Sequence, residues 1–198
     1  MRSKILLFSL GFALLAACRP EDPVPKPRAY ARVDTPASHS YQLFDQEDFP
    51  YSFEYPTYAR ISRDKLVFDK SPDNPYWLNI NFPSIGDGVI YLSYKTINGT
   101  QTLEKLLDDA HFMSYYHTKR ADYQIPYDFK NEYGVNGYLY EWGGEAASKY
   151  QFVATDSLHH FIRGALYFDV TPNADSLKPL NDFLKQDIQH LLKTMRWK

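Results

Sequence analysis

Apolar and polar residues alternate with period two through much of the chain. From Tyr76 to Phe82, the residues Tyr76, Leu78, Ile80 and Phe82 fall on one side, and Trp77, Asn79 and Asn81 fall on the other. This is the pattern of a strand with one buried face. It recurs at Tyr51–Tyr55, Val89–Lys95, Tyr138–Trp142, Tyr150–Thr155 and Phe161–Val170, with turn residues between the runs at Gly86–Gly88, Asn98-Gly99, Gly143-Gly144 and Asp156-Ser157. Such short connections favour antiparallel neighbours. Two stretches change to helical period. In the first, Leu103, Leu106, Leu107, Ala110 and Met113 share a face, with Thr100 or Thr102 as cap. In the second, Leu177, Leu180, Leu184, Ile188, Leu191 and Met195 step by three or four, Asp175 or Ser176 caps, and Pro179 falls in the permissive first turn. Each helix needs an apolar surface to cover. The order strands, helix, strands, helix therefore predicts an α+β fold, a mainly antiparallel sheet packed by two main helices in a two- or three-layer sandwich.

The amino terminus has a different pattern. Arg2 and Lys4 precede an uncharged run from Ile5 to Ala17, which is followed by Cys18. As a helix that run spans about 20 Å, against a bilayer core of about 30 Å, so it reads as a cleaved export signal and not a lasting span. Leu15-Ala16-Ala17-Cys18 has the form of a bacterial lipobox. The small residues admit a peptidase close to the backbone, and the Cys18 thiol takes the diacylglyceryl group. Several acyl chains then anchor the protein, each buried methylene contributing about 0.8 kcal/mol. Pro20, Pro23, Pro25, Pro27 and Pro36 follow with no glycine among them, which predicts an extended tether reaching up to about 50 Å from the membrane. The expected organisation is a signal peptide over 1–17, a lipid-anchored Pro-rich tether over 18–40 and a single α+β domain over 41–198.

Composition narrows the function classes. With 22 Lys plus Arg against 24 Asp plus Glu, there is no cation excess to neutralise a phosphate backbone, so no nucleic acid partner is expected. Cys18 is the lone cysteine, which excludes an intrachain disulfide. Aromatic residues make up 17% of the chain, which suits strands with half-polar faces.

Candidate chemistry is thin. The six histidines have no metal-ligand spacing: His111 and His117 fall on different faces of the predicted helix, and neighbouring His159 and His160 point to opposite sides of a strand. No nucleophile elbow or phosphate loop is present, and Gly143-Gly144 reads as a tight turn before an anion cradle. Glu54 with Glu141, or Glu141 with Asp156, are the only carboxylate pairs worth naming. No catalytic residue, metal or cofactor is therefore expected. Tyr138, Tyr140 and Trp142 share one strand face opposite Leu139 and Glu141, an aromatic stripe that belongs either to the core beneath a helix or to a protein interface.

Longer blocks carry a family resemblance. The lipobox, Pro25–Tyr30 (PKPRAY), Phe49–Ile61 (FPYSFEYPTYARI), Trp77–Pro83 (WLNINFP), Tyr91–Lys95, His117–Asp122 and above all Gly137–Phe168 are similar to the gliding-motility lipoprotein GldD family of Bacteroidetes. Tyr76 and Lys149 depart from the family's pattern, which has a cysteine and a proline there. The resemblance implies an accessory component of the gliding and type IX secretion machinery. It would be lipid-anchored in the envelope, most simply at the periplasmic face of the outer membrane, and would act with lipoproteins such as GldJ and the GldK to GldN complex. It brings no catalytic residues, and the strand order is similar to PsbP and Mog1 sandwiches. The expected contact surface lies near Gly137–Arg163, with Tyr140, Glu141, Gln151, Asp156, His160 and Arg163 as contact or shaping residues. The alternative is a periplasmic enzyme or a binder of glycan, peptidoglycan or lipid. It would need a deep pocket with convergent carboxylates or histidines, or a large apolar cavity between sheet and helix.

Overall fold

The computed structural model describes residues 34–63, 75–99, 101–116 and 120–198. The export signal, Cys18 and the tether as far as Val33 lie outside the described residues, as does His117. Among the described residues ten strands and two helices follow one another: β1 (Tyr41–Phe44), β2 (Tyr51–Pro56), β3 (Arg60–Ser62), β4 (Leu78–Phe82), β5 (Gly88–Thr96), α1 (Leu103–Tyr116), β6 (Ala121–Lys130), β7 (Asn136–Gly144), β8 (Tyr150–Thr155), β9 (His160–Tyr167), α2 (Ala174–Thr194) and β10 (Arg196–Trp197). Seven strands make one antiparallel sheet in the order β3-β4-β5-β9-β8-β7-β6, and β1-β2-β10 make a small second sheet.

The period-two runs became strands because their apolar faces meet a shared core. Leu78, Ile80, Phe82, Ile90, Leu92, Phe152, Ile162 and Leu166 are buried on one face of the large sheet. Phe44, Tyr51 and Phe53 of the small sheet and Leu180, Leu184, Ile188 and Leu191 of α2 join the same cluster. Each of these α2 side chains contributes about 1.5–3 kcal/mol by leaving water. α1 covers only part of the opposite face, where Leu106 and Ala110 pack on Val153 and Phe161. The result is three layers: α1, the large sheet, and α2 with the small sheet.

Local details differ from the sequence expectation in three places. The α2 cap is Asn173, whose side chain accepts from Ser176 N–H, so the helix begins ahead of Asp175 and Ser176. Pro179 consequently lies beyond the first turn, where it removes the bond its N–H would make to the Asp175 carbonyl. On α1 the cap is Thr102, whose Oγ1 accepts from Lys105 N–H at 3.3 Å. The buried stripe of α1 runs Leu106, Ala110 and Ser114, while Met113 is exposed, because Gln151 lies beneath the fourth turn and offers Ser114 a polar partner.

The strand β6 was absent from the periodicity reading, since Pro126 interrupts it. Trp142 N–H donates to Lys149 O, so the even-numbered residues of β7 face β8 and the odd ones face β6. Pro126 pairs with Tyr140, which places it in the outward phase of an edge strand, where no N–H is needed.

Candidate functional site

The face of the large sheet that carries α1 holds the most distinctive polar chemistry. Cross-strand pairing lines up Asn79, Tyr91, Ala165, Gln151, Tyr140 and Pro126 in one row, and Ser93, Arg163, Val153, Tyr138 and Asp128 in the next. Gln151 is 1% exposed. Its Oε1 accepts from Arg163 Nη2 at 2.6 Å and lies 2.9 Å from Ser114 Oγ, which also reaches Ala110 O at 2.8 Å. Arginine can only donate, so the Gln151 atom facing it has to be the oxygen. The Gln151 amide nitrogen, Arg163 Nε and the nearby Trp142 Nε1 are buried donors without an acceptor.

The six residues expected to share one surface divide between two faces and a turn. Tyr140, Gln151 and Arg163 are on the α1 side. Tyr140 packs against the α1 cluster, and Arg163 is half-buried. Glu141 and His160 are on the α2 side. Glu141 accepts from Lys185 Nζ of α2 at 2.8 Å and lies 3.8 Å from Lys149 Nζ. Asp156 forms the β8–β9 turn, where its Oδ1 accepts the N–H groups of Leu158, His159 and His160 at 2.8–2.9 Å. The aromatic stripe is graded rather than uniform: Trp142 is buried, Tyr140 half-buried and Tyr138 45% exposed. Gly143 belongs to packing, since a Cβ there would lie 2.0 Å from the Tyr123 ring.

The named carboxylates have separate partners. Glu54 is 2.6 Å from His190 Nε2, Glu141 is held by lysines, and Asp156 by backbone. Among the described residues no group of three or more His, Cys, Asp or Glu side chains is placed to hold a metal ion. A groove of about 620 Å³ lies where β6 meets the end of α2, with Phe129, Leu139 and Leu192 as floor and Lys130, Glu132 and Lys193 at its rim.

A second polar cluster escaped the sequence reading. Asp187, 2% exposed, sits on the buried side of α2 between Leu184 and Leu191. Its carboxylate takes His39 Nδ1 at 2.7 Å, Tyr41 Oη at 3.1 Å and Tyr58 Oη at 2.6 Å. Packed structure thus includes His39, ahead of the first strand. An acid inside an apolar helical stripe was the signal available, because a buried carboxylate needs donors.

The β8–β9 turn also predicts a pH dependence. Burial lowers the His160 pKa below its ordinary 6.5, although the Asp156 charge opposes this. Burial raises the Asp156 pKa, but three backbone donors and the nearby His160 outweigh it, leaving the pKa below 3.8. Both groups then bind protons more readily when unfolded, so the folded state loses stability as pH falls. For His160 the loss starts near 6.5 and is complete below its folded pKa; for Asp156 it follows below 3.8. His160→Gln should flatten the first part of a plot of thermal midpoint against pH. An unchanged slope between pH 7 and 5 would count against this assignment.

A family model described as gliding motility lipoprotein GldD matches residues 20–197. The chain belongs to this family. Membership in the GldD family makes it a gliding motility lipoprotein, attached to the cell envelope by lipid, which agrees with the lipobox at Cys18. No helix of the described residues is long and apolar enough to cross a membrane. No individual curated protein matches the chain. Among solved structures it is similar to the solution structure of cyanobacterial PsbP (CyanoP) from Synechocystis sp. PCC 6803, with 12% identity and a TM-score of 0.50, covering 85% of this chain and 98% of that one. At that identity the likeness concerns the fold, and it agrees with the α+β sandwich expected for a GldD chain.

Proposed function

We propose that this protein is a noncatalytic accessory component of the gliding and type IX secretion machinery. It is held by lipid on Cys18, at the periplasmic face of the outer membrane, and works by contact with other envelope lipoproteins such as GldJ and the GldK to GldN complex. The observation that carries this reading is the aromatic surface on the α1 side of the sheet. Phe112 is 73% exposed, Tyr115 65%, Met113 47% and Tyr138 45%. Large apolar side chains exposed on α1 and on the sheet face beside it favour a protein partner, and tyrosine is a common anchor in such contacts. The family's place in gliding motility supports the same reading.

The test is in cells. Phe112→Glu combined with Tyr138→Glu should leave the protein at its normal level while reducing gliding and removing crosslinks from this surface to other lipoproteins. Gliding and crosslinks both unchanged would overturn the contact role. Cys18→Ser should move the protein out of the membrane fraction. Full retention there would overturn lipid attachment at that residue.

A further inference from the structure

We propose that β6 joins two copies of this chain, with the stretch Asp128–Lys130 of each paired antiparallel to the same stretch of the other about a two-fold axis at Phe129. This pairing is separate from the contacts proposed for the α1 side. The ladder fixes which groups of β6 are open. Ile125, Tyr127 and Phe129 pair with odd-numbered residues of β7, and Asn131 N–H donates to Val135 O just past the strand, so the odd residues of β6 spend their backbone groups on β7. The even ones face outward. Among the described residues no strand lies beyond β6, which leaves the N–H and C=O groups of Asp128 and Lys130 open at the sheet edge. An open edge is a template for a further strand. Pro126 closes the preceding part, since it has no N–H to give and its ring would press on a facing carbonyl. The groove of about 620 Å³ supplies room beside the open part, because Tyr127 through Glu132 line it without a break.

Charge and register select a second copy as the occupant. Asp128 and Lys130 are exposed on the same face of the strand, and neither has an ion-pair partner among the described residues. Antiparallel pairing about Phe129 sets Asp128 of each copy against Lys130 of the other. Both are hydrogen-bonded pairs, so the open backbone groups are met while opposite charges lie side by side. Phe129 faces Phe129 of the second copy on the α2 side, next to Leu139 and Leu192 in the groove. Pro126 falls opposite Glu132, beyond the strand end at Lys130, and stays out of the ladder. Sliding one strand by two residues sets Asp128 against Asp128 with Pro126 opposite Lys130, or else Lys130 against Lys130. The alternation of acid and base is thus complementary to itself in one register. A two-fold pair uses both open edges and stops at two copies. Copies held by lipid on one membrane meet at a raised local concentration, which favours so short a seam.

The full chain is expressed in one cell in two tagged forms, intact cells are fixed briefly with formaldehyde, and recovery of one tag through the other is measured. The unaltered forms should recover each other. Asp128→Lys in both forms, or Lys130→Asp in both, should lower recovery about tenfold, because like charges then face each other. Asp128→Lys in one form with Lys130→Asp in the other should restore it, since opposite charges are again opposed. A change in folding, or in binding to a different protein, would not give that rescue. Register is read with Phe129→Cys, whose two copies would lie about 4.5 Å apart between Cα atoms, within the reach of a disulfide. Oxidation of membranes with copper phenanthroline should then yield a disulfide-linked dimer, and Ile125→Cys, away from the axis, should not. No recovery between the unaltered forms, recovery indifferent to both charge reversals, or a failed rescue overturns the proposal. A folded Phe129→Cys chain that gives no dimer overturns the two-fold register, and one linked to a different protein overturns the second copy as occupant. If Phe129→Cys does not fold, the exposed charge variants decide alone.

Discussion

Gly137→Ala is expected to lower the midpoint of thermal unfolding by about 6–12 °C. The added Cβ would lie 1.9 Å from Val153 O, 2.8 Å from the carbonyl carbon and 3.2 Å from Ala154 Cα, all backbone of the paired strand β8. Side-chain overpacking typically costs 1–3 kcal/mol because rotamers can move aside. A carbonyl inside a central ladder has no such freedom, so the upper end, about 3 kcal/mol, applies here. For a domain of this size each kcal/mol shifts the midpoint by about 2–4 °C. Gly143→Ala is the internal control. Its Cβ would also clash, at 2.0 Å, but with the ring of Tyr123, which is 49% exposed and can swing into solvent. Equal losses at the two glycines would contradict the described approach of β7 to β8.

Asp187→Ala should cost about 3 kcal/mol, with the loss concentrated where the chain enters the domain. The substitution leaves His39, Tyr41 and Tyr58 without their shared acceptor in a largely buried seam, and an unmet buried donor costs about 1–3 kcal/mol. It also frees the ring stack of His39 on Phe183, centroids 4.3 Å apart, which depends on the same anchor. The phenols of Tyr41 and Tyr58 are pushed up by burial first, and further by Asp187. Removing the acid should therefore let both ionise at lower pH in a spectroscopic titration. Hydrogen exchange at β1 amides should speed up far more than at β5, in the middle of the large sheet. Uniform acceleration through all strands would mean that the seam is not a local latch. Asp187→Asn keeps one acceptor oxygen and should fall between the two.

The relation between the chain and its fold varies from element to element. Leu78, Ile80 and Phe82 alternate with asparagines, the order of a strand with one apolar and one polar face, so β4 was legible at once, although Asn79 on the polar face is itself buried. The stripe Leu180, Leu184, Ile188 and Leu191 dictated α2 in the same manner. β6 was not legible, because Pro126 is tolerated only when its missing N–H faces an empty edge, and which strand lies at the edge is a property of the assembled sheet. The cap of α2 was misplaced because Asn173, Asp175 and Ser176 are all competent caps, and the helix begins wherever packing ends the preceding loop.

Local order along the chain was enough to determine the alternation of strands and the two helices, since each depends on neighbours within a few residues. The polypeptide alone could not say that Tyr140 and Glu141 would serve opposite faces of a sheet flanked by different helices. Nor could it reveal that His39 would reach Asp187, or that Gln151 would spend its oxygen on Arg163 and leave its nitrogen unmatched. Those outcomes depend on the tertiary arrangement, which brings together residues such as His39 and Asp187, 148 positions apart, and the free energy that selects them is collective burial rather than any preference written in a short stretch of sequence.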